Sequence, residues 1–295
     1  MWFTSFIISF IIGSTFTLSS DGHNDNWAVI VDASNFFFNY RHEANALSLY
    51  HELRENGFPD DHIILMISED FSGNVRNQIP GTIYSDRSHS CNLFDETIQV
   101  DYKGYDVNEE SFMRVLVDSH PEGTARSRRM LSTENSNVLV YITGHGGENF
   151  LKFRDQSAIT GDDLANTIEL MHKKKRFKSL FFIADTCQAS TLAEQIHTPG
   201  FFSLCCSSVG ESSYATHFDP KIHTPLGDRF TMSLVEYLKR HRNNRYATIE
   251  EFYRTLNPGY LEAHPVFRTD LVNVPVKTLY LADYFSYKTQ VQNIT

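Results

Sequence analysis

Two short segments decide the fold of this 295-residue chain, Val138–Gly147 (VLVYITGHGG) and Leu180–Gln188 (LFFIADTCQ). Each begins with an apolar run rich in β-branched and aromatic residues, which is typical of a buried strand, and each ends in polar residues. Between them lies a helical pattern with Leu164, Ile168 and Met171 on one face. This order predicts a strand–helix–strand unit in which the two strands run parallel.

The polar ends of the two segments are expected to meet in space. The carboxyl ends of parallel strands lie at one edge of a sheet, where open α/β folds place their functional sites. The first segment ends around His145 and the second around Cys187. We therefore expect a histidine and a cysteine that are distant in the sequence to lie side by side.

The rest of the chain extends this architecture. Apolar runs at 27–33 and 62–67 predict two more strands, and the segment 41–56 between them predicts a helix. Residues 68–107 show no regular pattern, and a loop region this long is usually functional or mobile. Extended segments after Pro265 are expected to close the sheet edge. We predict an α/β three-layer sandwich, with a mostly parallel central sheet and helices on both faces.

The net charge and the N-terminal sequence narrow the possible partners and the location of the protein. The formal net charge of −10 argues against a nucleic-acid partner. Phe6–Leu18 is apolar and small polar residues follow, so we predict a signal peptide at 1–20 and a secretory-pathway lumen as the location. The alternative is an uncleaved anchor, but this run is shorter than the roughly 20 residues that a membrane span needs.

The four cysteines are expected to play different roles. If Cys187 stays a thiol, three others remain, and the adjacent Cys205 and Cys206 rarely pair with each other. We place these two in a buried strand at 201–207. Cys91 lies in a polar loop and is the candidate for an intermolecular disulfide.

The segment Gly144–Gly147 fits only one of four familiar chemistries. A dinucleotide-binding loop would need glycine at position 149, which is Asn149. A lipase-type oxyanion loop belongs with a G-x-S-x-G elbow, and zinc sites with H-E-x-x-H or C-x-x-C, and the sequence contains none of these. A cysteine nucleophile with a histidine base remains.

The residues around this pair suit acyl transfer. The backbone N–H groups of Gly146 and Cys187 would form an oxyanion hole with two donors, because glycine lets the reacting carbonyl approach closely. Taken singly, Cys187 could be a buried strand-end cysteine and His145 a polar turn residue. Together, at the ends of two parallel strands, they favour catalysis.

Three motifs resemble the legumain-like cysteine peptidases, a family with a caspase-like α/β fold. They are FNYRH at 38–42, YITGHGG at 141–147 and DTCQ at 185–188. Legumains carry Asp before the catalytic histidine and a Glu-Ala-Cys-Glu segment. Gly144 and the DTCQ segment instead resemble the GPI-transamidase branch of the family.

The resemblance implies a catalytic domain at 21–285, a C-terminal tail at 286–295 and a location in the endoplasmic reticulum lumen. It implies a cysteine-type transamidase that cleaves the C-terminal signal of a proprotein and transfers the new C-terminus to the ethanolamine amine of a GPI lipid. The expected partners are the other transamidase subunits, which would hold the chain at the membrane, together with proprotein signal peptides and the GPI lipid. Two alternatives stay open, a legumain-like asparaginyl endopeptidase or ligase and a non-catalytic scaffold subunit.

The resemblance also assigns residues. Asn39 would assist His145 and Cys187. The implied substrate pocket consists of Arg41, His42, Gln188, Ser212 and Asp228. No cofactor is implied for the chemistry, but a structural calcium ion is, with ligands from Asp60, the carbonyl of Ile63, Gln99 and Asp101. Gln188 and Gln99 stand where family members carry Glu, which argues against an asparagine-specific pocket and for weaker calcium binding.

Overall fold

The computed structural model describes residues 25–95 and 97–287. The predicted signal peptide at 1–20 and most of the predicted tail at 286–295 lie outside the described residues. Within the described ranges, we find no helix with the length and hydrophobicity needed to span a bilayer.

A mostly parallel sheet of seven strands forms the centre of the fold. The strands of the described chain are β1 (Trp27–Asp32), β2 (Ile63–Ile67), β3 (Tyr102–Lys103), β4 (Asn137–Thr143), β5 (Gly146–Gly147), β6 (Phe150–Phe153), β7 (Ser157–Thr160), β8 (Ser179–Asp185), β9 (Phe201–Cys205), β10 (Ala215–Asp219), β11 (Thr224–Asp228) and β12 (Val266–Arg268). The central sheet has the order β12-β9-β8-β4-β1-β2-β3. Its neighbours are parallel except for β12, which pairs antiparallel with β9 and closes that edge, as predicted for the segment after Pro265.

Helices cover both faces of this sheet. They are α1 (Tyr40–Glu55), α2 (Glu109–Val117), α3 (Gly161–Lys173), α4 (Arg229–His241), α5 (Ile249–Thr255), α6 (Pro258–Leu261) and α7 (Ala282–Phe285). The crossover β1–α1–β2 runs along the sheet in one direction and β4–α3–β8 in the other. Because such crossovers are right-handed, α1 and α3 lie on opposite faces. α4 packs beside α1 and α2 beside α3, which completes the predicted three layers.

The central strands are buried on both faces, which explains their unbroken apolar sequences. Every residue of β1 and β4 is buried. Phe181 and Phe202 stack at 4.5 Å between their ring centroids, and Tyr284 contacts both rings edge-on. Cys205 and Cys206 are buried, Cys91 is exposed, and all cysteines are free thiols.

Two small antiparallel sheets were not predicted. β5, β6 and β7 form one immediately after His145, and β10 and β11 form a hairpin between β9 and α4. Both sheets carried sequence signals. Leu151 and Phe153 alternate with Lys152 in β6, and an Asp219-Pro220 pair marks the hairpin turn.

Candidate active site

A crevice forms at the carboxyl edge of the sheet between β1 and β4. The chain leaves β1 toward β2 and leaves β4 in the opposite direction toward β8, so the two loops diverge. Such a switch point is where open α/β sheets bind ligands. Asn39 follows β1, His145 follows β4, and Cys187 follows the adjacent β8. Thr143 of β4 pairs with Asp185 of β8, and His145 and Cys187 each follow one of these two residues by two positions.

Asn39 fixes the orientation of His145. Its Oδ1 lies 2.8 Å from His145 Nε2. Its Nδ2 donates to the carbonyl of Asn35 at 2.7 Å, and Arg41 Nη1 donates to its Oδ1 at 3.4 Å, so Oδ1 is the acceptor atom. Neutral His145 therefore carries its proton on Nε2, and the lone pair on Nδ1 is left for another proton.

The surroundings keep His145 in its basic form. Burial lowers the pKa of His145, and the positive charge of Arg41 lowers it further. His42 packs edge-on against His145, with 5.3 Å between ring centroids. Burial also lowers the pKa of His42 well below its usual range, followed by the effects of Arg41 and His145. Both imidazoles are thus held neutral, as a proton acceptor requires.

Gly146 lets the histidine loop contact the cysteine loop. A Cβ atom at this position would lie 2.5 Å from Thr186 Oγ1 and 2.8 Å from the carbonyl oxygen of Phe150. The carbonyl of His145 accepts from Lys152 N at 2.8 Å, which anchors the loop to the β5–β6 hairpin. Gly146 therefore packs directly against the Thr186 side chain and the Phe150 carbonyl, and any larger residue would displace them.

A buried polar cluster lies next to His145. Arg41 Nε donates to Asp228 Oδ1 at 3.0 Å, and Asn45 Nδ2 donates to Asp228 Oδ2 at 2.6 Å. His42 Nδ1 lies 2.7 Å from Ser34 Oγ, and its Nε2 lies 3.6 Å from Asp228 Oδ2. His42 and Asp228 are only 2% and 3% exposed, so a substrate could contact them only after neighbouring side chains move.

The other two predicted pocket residues lie apart from this cluster. Gln188 has a left-handed backbone, with φ of 53°, and its Oε1 accepts from Gly210 N at 2.9 Å. The backbone N–H of Gln188 donates to the carbonyl of Glu211, also at 2.9 Å. Ser212 is exposed on the loop before β10. The structure brings Arg41, His42 and Asp228 together, while Gln188 binds the 210–211 turn.

Asp185 is a site residue whose role the sequence did not reveal. It is buried, and its carboxylate accepts from Ser213 Oγ at 2.6 Å and from Thr231 Oγ1 at 2.5 Å. These bonds tie the end of β8 to the first turn of α4 and to the loop before β10. A charged residue ending a buried strand needs such partners, so its position was the available signal.

The implied calcium ligands are Asp60, the carbonyl of Ile63, Gln99 and Asp101, and the structure shows an interaction between the two carboxyl groups. Burial, and then the charge of Asp60, raise the pKa of Asp101 to about 7, so these two carboxyl groups interact. Tyr50 OH donates to Asp60 at 2.5 Å and Leu65 N donates to Asp101 at 2.9 Å, while Gln99 is exposed. Across the described chain, three or more His, Cys, Asp or Glu side chains nowhere group as a metal site. Carboxylates are oxygen donors of the kind that calcium prefers, but two of them fall short of the roughly six to eight ligands that it takes.

Comparisons with known proteins identify relatives of this chain. A family model described as the peptidase C13 family matches residues 26–286. The chain is 38% identical over 272 residues to a GPI-anchor transamidase of Saccharomyces cerevisiae, covering 92% of this chain and 66% of that protein. It is 39% identical over 274 residues to the Homo sapiens GPI-anchor transamidase, covering 93% and 69%. The chain thus spans about two thirds of the length of these relatives.

A solved structure confirms the fold. Caspase-1 from Spodoptera frugiperda superimposes with a TM-score of 0.50 at 15% identity, covering 91% of this chain and 93% of that chain. At such low identity the match concerns the architecture alone. The caspase-like α/β fold predicted from the sequence is therefore correct.

Proposed function

The chain belongs to the peptidase C13 family, and we propose that it is the catalytic subunit of a GPI-anchor transamidase. The observation that carries this proposal is the arrangement at the switch point. Asn39 holds His145 through Nε2, and Gly146 brings the histidine loop against Thr186, the residue before Cys187. The identity of 38% to 39% with transamidases points to transfer to an amine rather than to water.

In the first half of the reaction the substrate chain is cleaved. The Cys187 thiol gives its proton to Nδ1 of His145, and the sulfur attacks the carbonyl carbon of the attachment residue. The N–H groups of Gly146 and Cys187 stabilise the oxyanion. The C–N bond then breaks, and His145 returns the proton to the leaving amine, which departs with the signal peptide. A thioester on Cys187 remains.

In the second half an amine replaces water as the nucleophile. The ethanolamine amine of the GPI lipid attacks the thioester, and His145 accepts a proton from it. The carbon–sulfur bond breaks, the new amide leaves, and the proton returns to the sulfur. His145 must be neutral at the start of both halves, and the burial that lowers its pKa supports this role.

The cellular setting is proposed on the same basis. We place the chain in the endoplasmic reticulum lumen, held at the membrane by other subunits of the transamidase. Its substrates would be proproteins with C-terminal attachment signals and the GPI lipid.

A replacement experiment in the source organism tests the function. The chromosomal copy is replaced by wild type, Cys187→Ala or Tyr246→Ala, and anchored surface protein is quantified. Wild type and Tyr246→Ala should anchor normally, since Tyr246 is 78% exposed and is none of the proposed site residues. Cys187→Ala should anchor none while still assembling with its partners. Full anchoring by Cys187→Ala would make the chain a scaffold, and cleavage of Asn peptides by the isolated chain would indicate a legumain-like enzyme.

We also propose a weak structural calcium site at Asp60 and Asp101. A cation between these carboxylates would offset their mutual repulsion and tie the start of β2 to the segment before β3. Thermal unfolding of wild type and Asp101→Asn, each in calcium and in a chelator, tests this. Calcium should raise the melting temperature of wild type only. Equal melting temperatures of wild type in both conditions would rule the site out.

A further inference from the structure

The segment after β9 lies against the loop that carries Cys187. Cys206 and Ser207 come directly after β9 and are only 2% and 0% exposed. The backbone N–H of Cys206 donates to the carbonyl of Ala184 at 3.0 Å, and the N–H of Ser190 donates to the carbonyl of Ser207, also at 3.0 Å. These two bonds attach the segment to the chain on either side of Cys187.

Two side chains of this segment share one acceptor, the backbone carbonyl of Thr186. Ser207 Oγ donates to it at 2.8 Å, and Cys206 Sγ donates to it at 3.1 Å. The Ser207 hydroxyl is itself held in place, because its oxygen accepts from the N–H of Ala189 at 3.1 Å. Burial raises the pKa of Cys206 well above its usual range, so its thiol keeps the proton that it donates. A thiol is a weak donor, so the serine supplies the stronger of the two bonds.

The carbonyl of Thr186 belongs to the same peptide unit as the N–H of Cys187. A peptide unit is planar and trans, so these two groups point in opposite directions and cannot turn independently. Two donors on the carbonyl therefore fix the direction of the Cys187 N–H. Hydrogen bonds at the carbonyl also polarise the unit, which makes the N–H a stronger donor. In the part of the chain that the structure describes, this N–H donates to no protein acceptor, so it is left for a ligand.

We propose that Ser207, together with Cys206, is a positioning residue for acyl transfer and aims the Cys187 N–H at the oxygen that becomes negatively charged when the sulfur attacks. The inference rests on the proposed function. An oxyanion donor stabilises the transition state because its direction is fixed before the reaction begins. Such a donor keeps its direction only where buried neighbours hold it. Loss of these neighbours should therefore lower the rate of the reaction rather than the binding of the proprotein.

A buried serine elsewhere in the chain provides a matched control. Ser136 is also 0% exposed, and its hydroxyl also joins two partners. It accepts from the N–H of Thr133 at 2.7 Å and donates to Asp25 Oδ2 at 2.5 Å. Ser136 precedes β4, so it lies at the opposite edge of the sheet from the crevice. Ser136→Ala thus removes a comparable pair of buried hydrogen bonds without touching the cysteine loop.

Two rates measured on the assembled complex test the proposal. Membranes are prepared from the source organism carrying wild type, Ser207→Ala, Cys206→Ala, Cys206→Ser or Ser136→Ala. The first rate is the anchoring of a reporter proprotein at several reporter concentrations, normalised to the amount of assembled complex. The second is the alkylation of Cys187 by iodoacetamide, followed by mass spectrometry of the peptide that contains it. In the second reaction the sulfur displaces iodide and no oxyanion forms.

The two rates should respond differently. Ser207→Ala should lower the maximal anchoring rate by about 10- to 100-fold, somewhat less than the outright loss of an oxyanion donor costs. Its half-saturating reporter concentration and its alkylation rate should stay within about twofold of wild type. Cys206→Ala should show the same pattern on a smaller scale, and Cys206→Ser, which keeps a donor, should retain more of the rate. Ser136→Ala should match wild type in both rates.

A maximal anchoring rate in Ser207→Ala equal to that of Ser136→Ala would overturn the proposal. A parallel fall of anchoring and alkylation would also overturn it, because that pattern marks a general distortion of the cysteine loop. If Ser207→Ala does not assemble, the two Cys206 variants decide: a slower rate in Cys206→Ala alone supports the proposal, and equal rates overturn it. Anchoring that continues after Cys187 is fully alkylated would instead overturn the proposed function.

Discussion

The two halves of the crevice are built differently. At the ends of β4 and β8, His145 and Cys187 are partly exposed, and Gly146 of the histidine loop packs against the Thr186 side chain of the cysteine loop. At the end of β1 and in α1, Arg41 and His42 meet Asp228 of β11 in a buried network of hydrogen bonds. Reacting groups need access and freedom to exchange a proton. The neighbouring network needs fixed geometry, because buried charges are tolerated only when they are paired.

Loss of the proposed nucleophile should separate the two halves most clearly. Cys187→Ala should lower the rate of anchoring by at least about 10³-fold, since removing a catalytic nucleophile typically costs this much or more. The same variant should unfold within about 2 °C of wild type, because substitutions outside the core change stability little. Anchoring assays and thermal unfolding measure the two quantities. A large fall in melting temperature would show that Cys187 supports the fold as well.

In the buried network around Asp228, a substitution should instead lower the stability of the protein. Asp228→Ala should lower the free energy of unfolding by about 3–5 kcal/mol, because Arg41 would lose its partner in a buried pair. The control Asp270→Ala breaks the exposed pair between Asp270 and Arg268 and should cost less than about 1 kcal/mol. Urea unfolding of the three proteins measures both values. Equal costs for the two variants would contradict the contrast drawn above.

Gly146 tests whether close approach of the loops matters. Gly146→Ala would place Cβ 2.5 Å from Thr186 Oγ1 and 2.8 Å from the backbone carbonyl oxygen of Phe150, so the histidine loop must shift and the proposed oxyanion donors move. We expect a loss of about 10²-fold in anchoring rate, comparable to removing one oxyanion donor. Gly73→Ala is the matched control, since the nearest atom to its Cβ would be 3.7 Å away. Anchoring by Gly146→Ala at the rate of Gly73→Ala would remove Gly146 from the mechanism.

The smallest effect on the rate is expected at Arg41, a residue of the buried network whose charge acts on His145. The charge of Arg41 lowers the pKa of His145, so Arg41→Gln should raise that pKa. His145 would then become protonated at a higher pH, and the acidic limb of the pH–rate profile should move to higher pH. Arg41→Lys keeps the charge and should leave the limb near its wild-type position. A limb that stays in place in Arg41→Gln would show that this charge does not reach His145.

The half of the crevice that carries His145 and Cys187 could be predicted from local sequence. The apolar runs before His145 and Cys187 are continuous because both faces of their strands are buried, and this pattern needs no tertiary information. The partners of Asp228 could not be found in this way. Asp228 and Arg41 stand 187 positions apart in the chain, and they meet only because the β10–β11 hairpin folds over α1.

The strained turn at Phe36 gave no sequence signal either. Its φ of 70° follows from the bonds to Glu69 and Asn39, both of which depend on where β2 and α1 lie. Aromatic residues usually pack inside, but of the three consecutive phenylalanines at 36–38 only Phe37 is buried.

The sequence by itself determined the parallel sheet, the edge of the sheet that carries the site and the residues that carry the proposed chemistry, because strand patterns and motif spacing are local properties of the chain. The tertiary structure alone decided which polar groups pair beneath the site and which aromatic rings face solvent. Those outcomes depend on contacts between segments that are far apart in the sequence. The free energies of those contacts depend on burial and on hydrogen-bond geometry. Neither can be read from a single segment of the sequence.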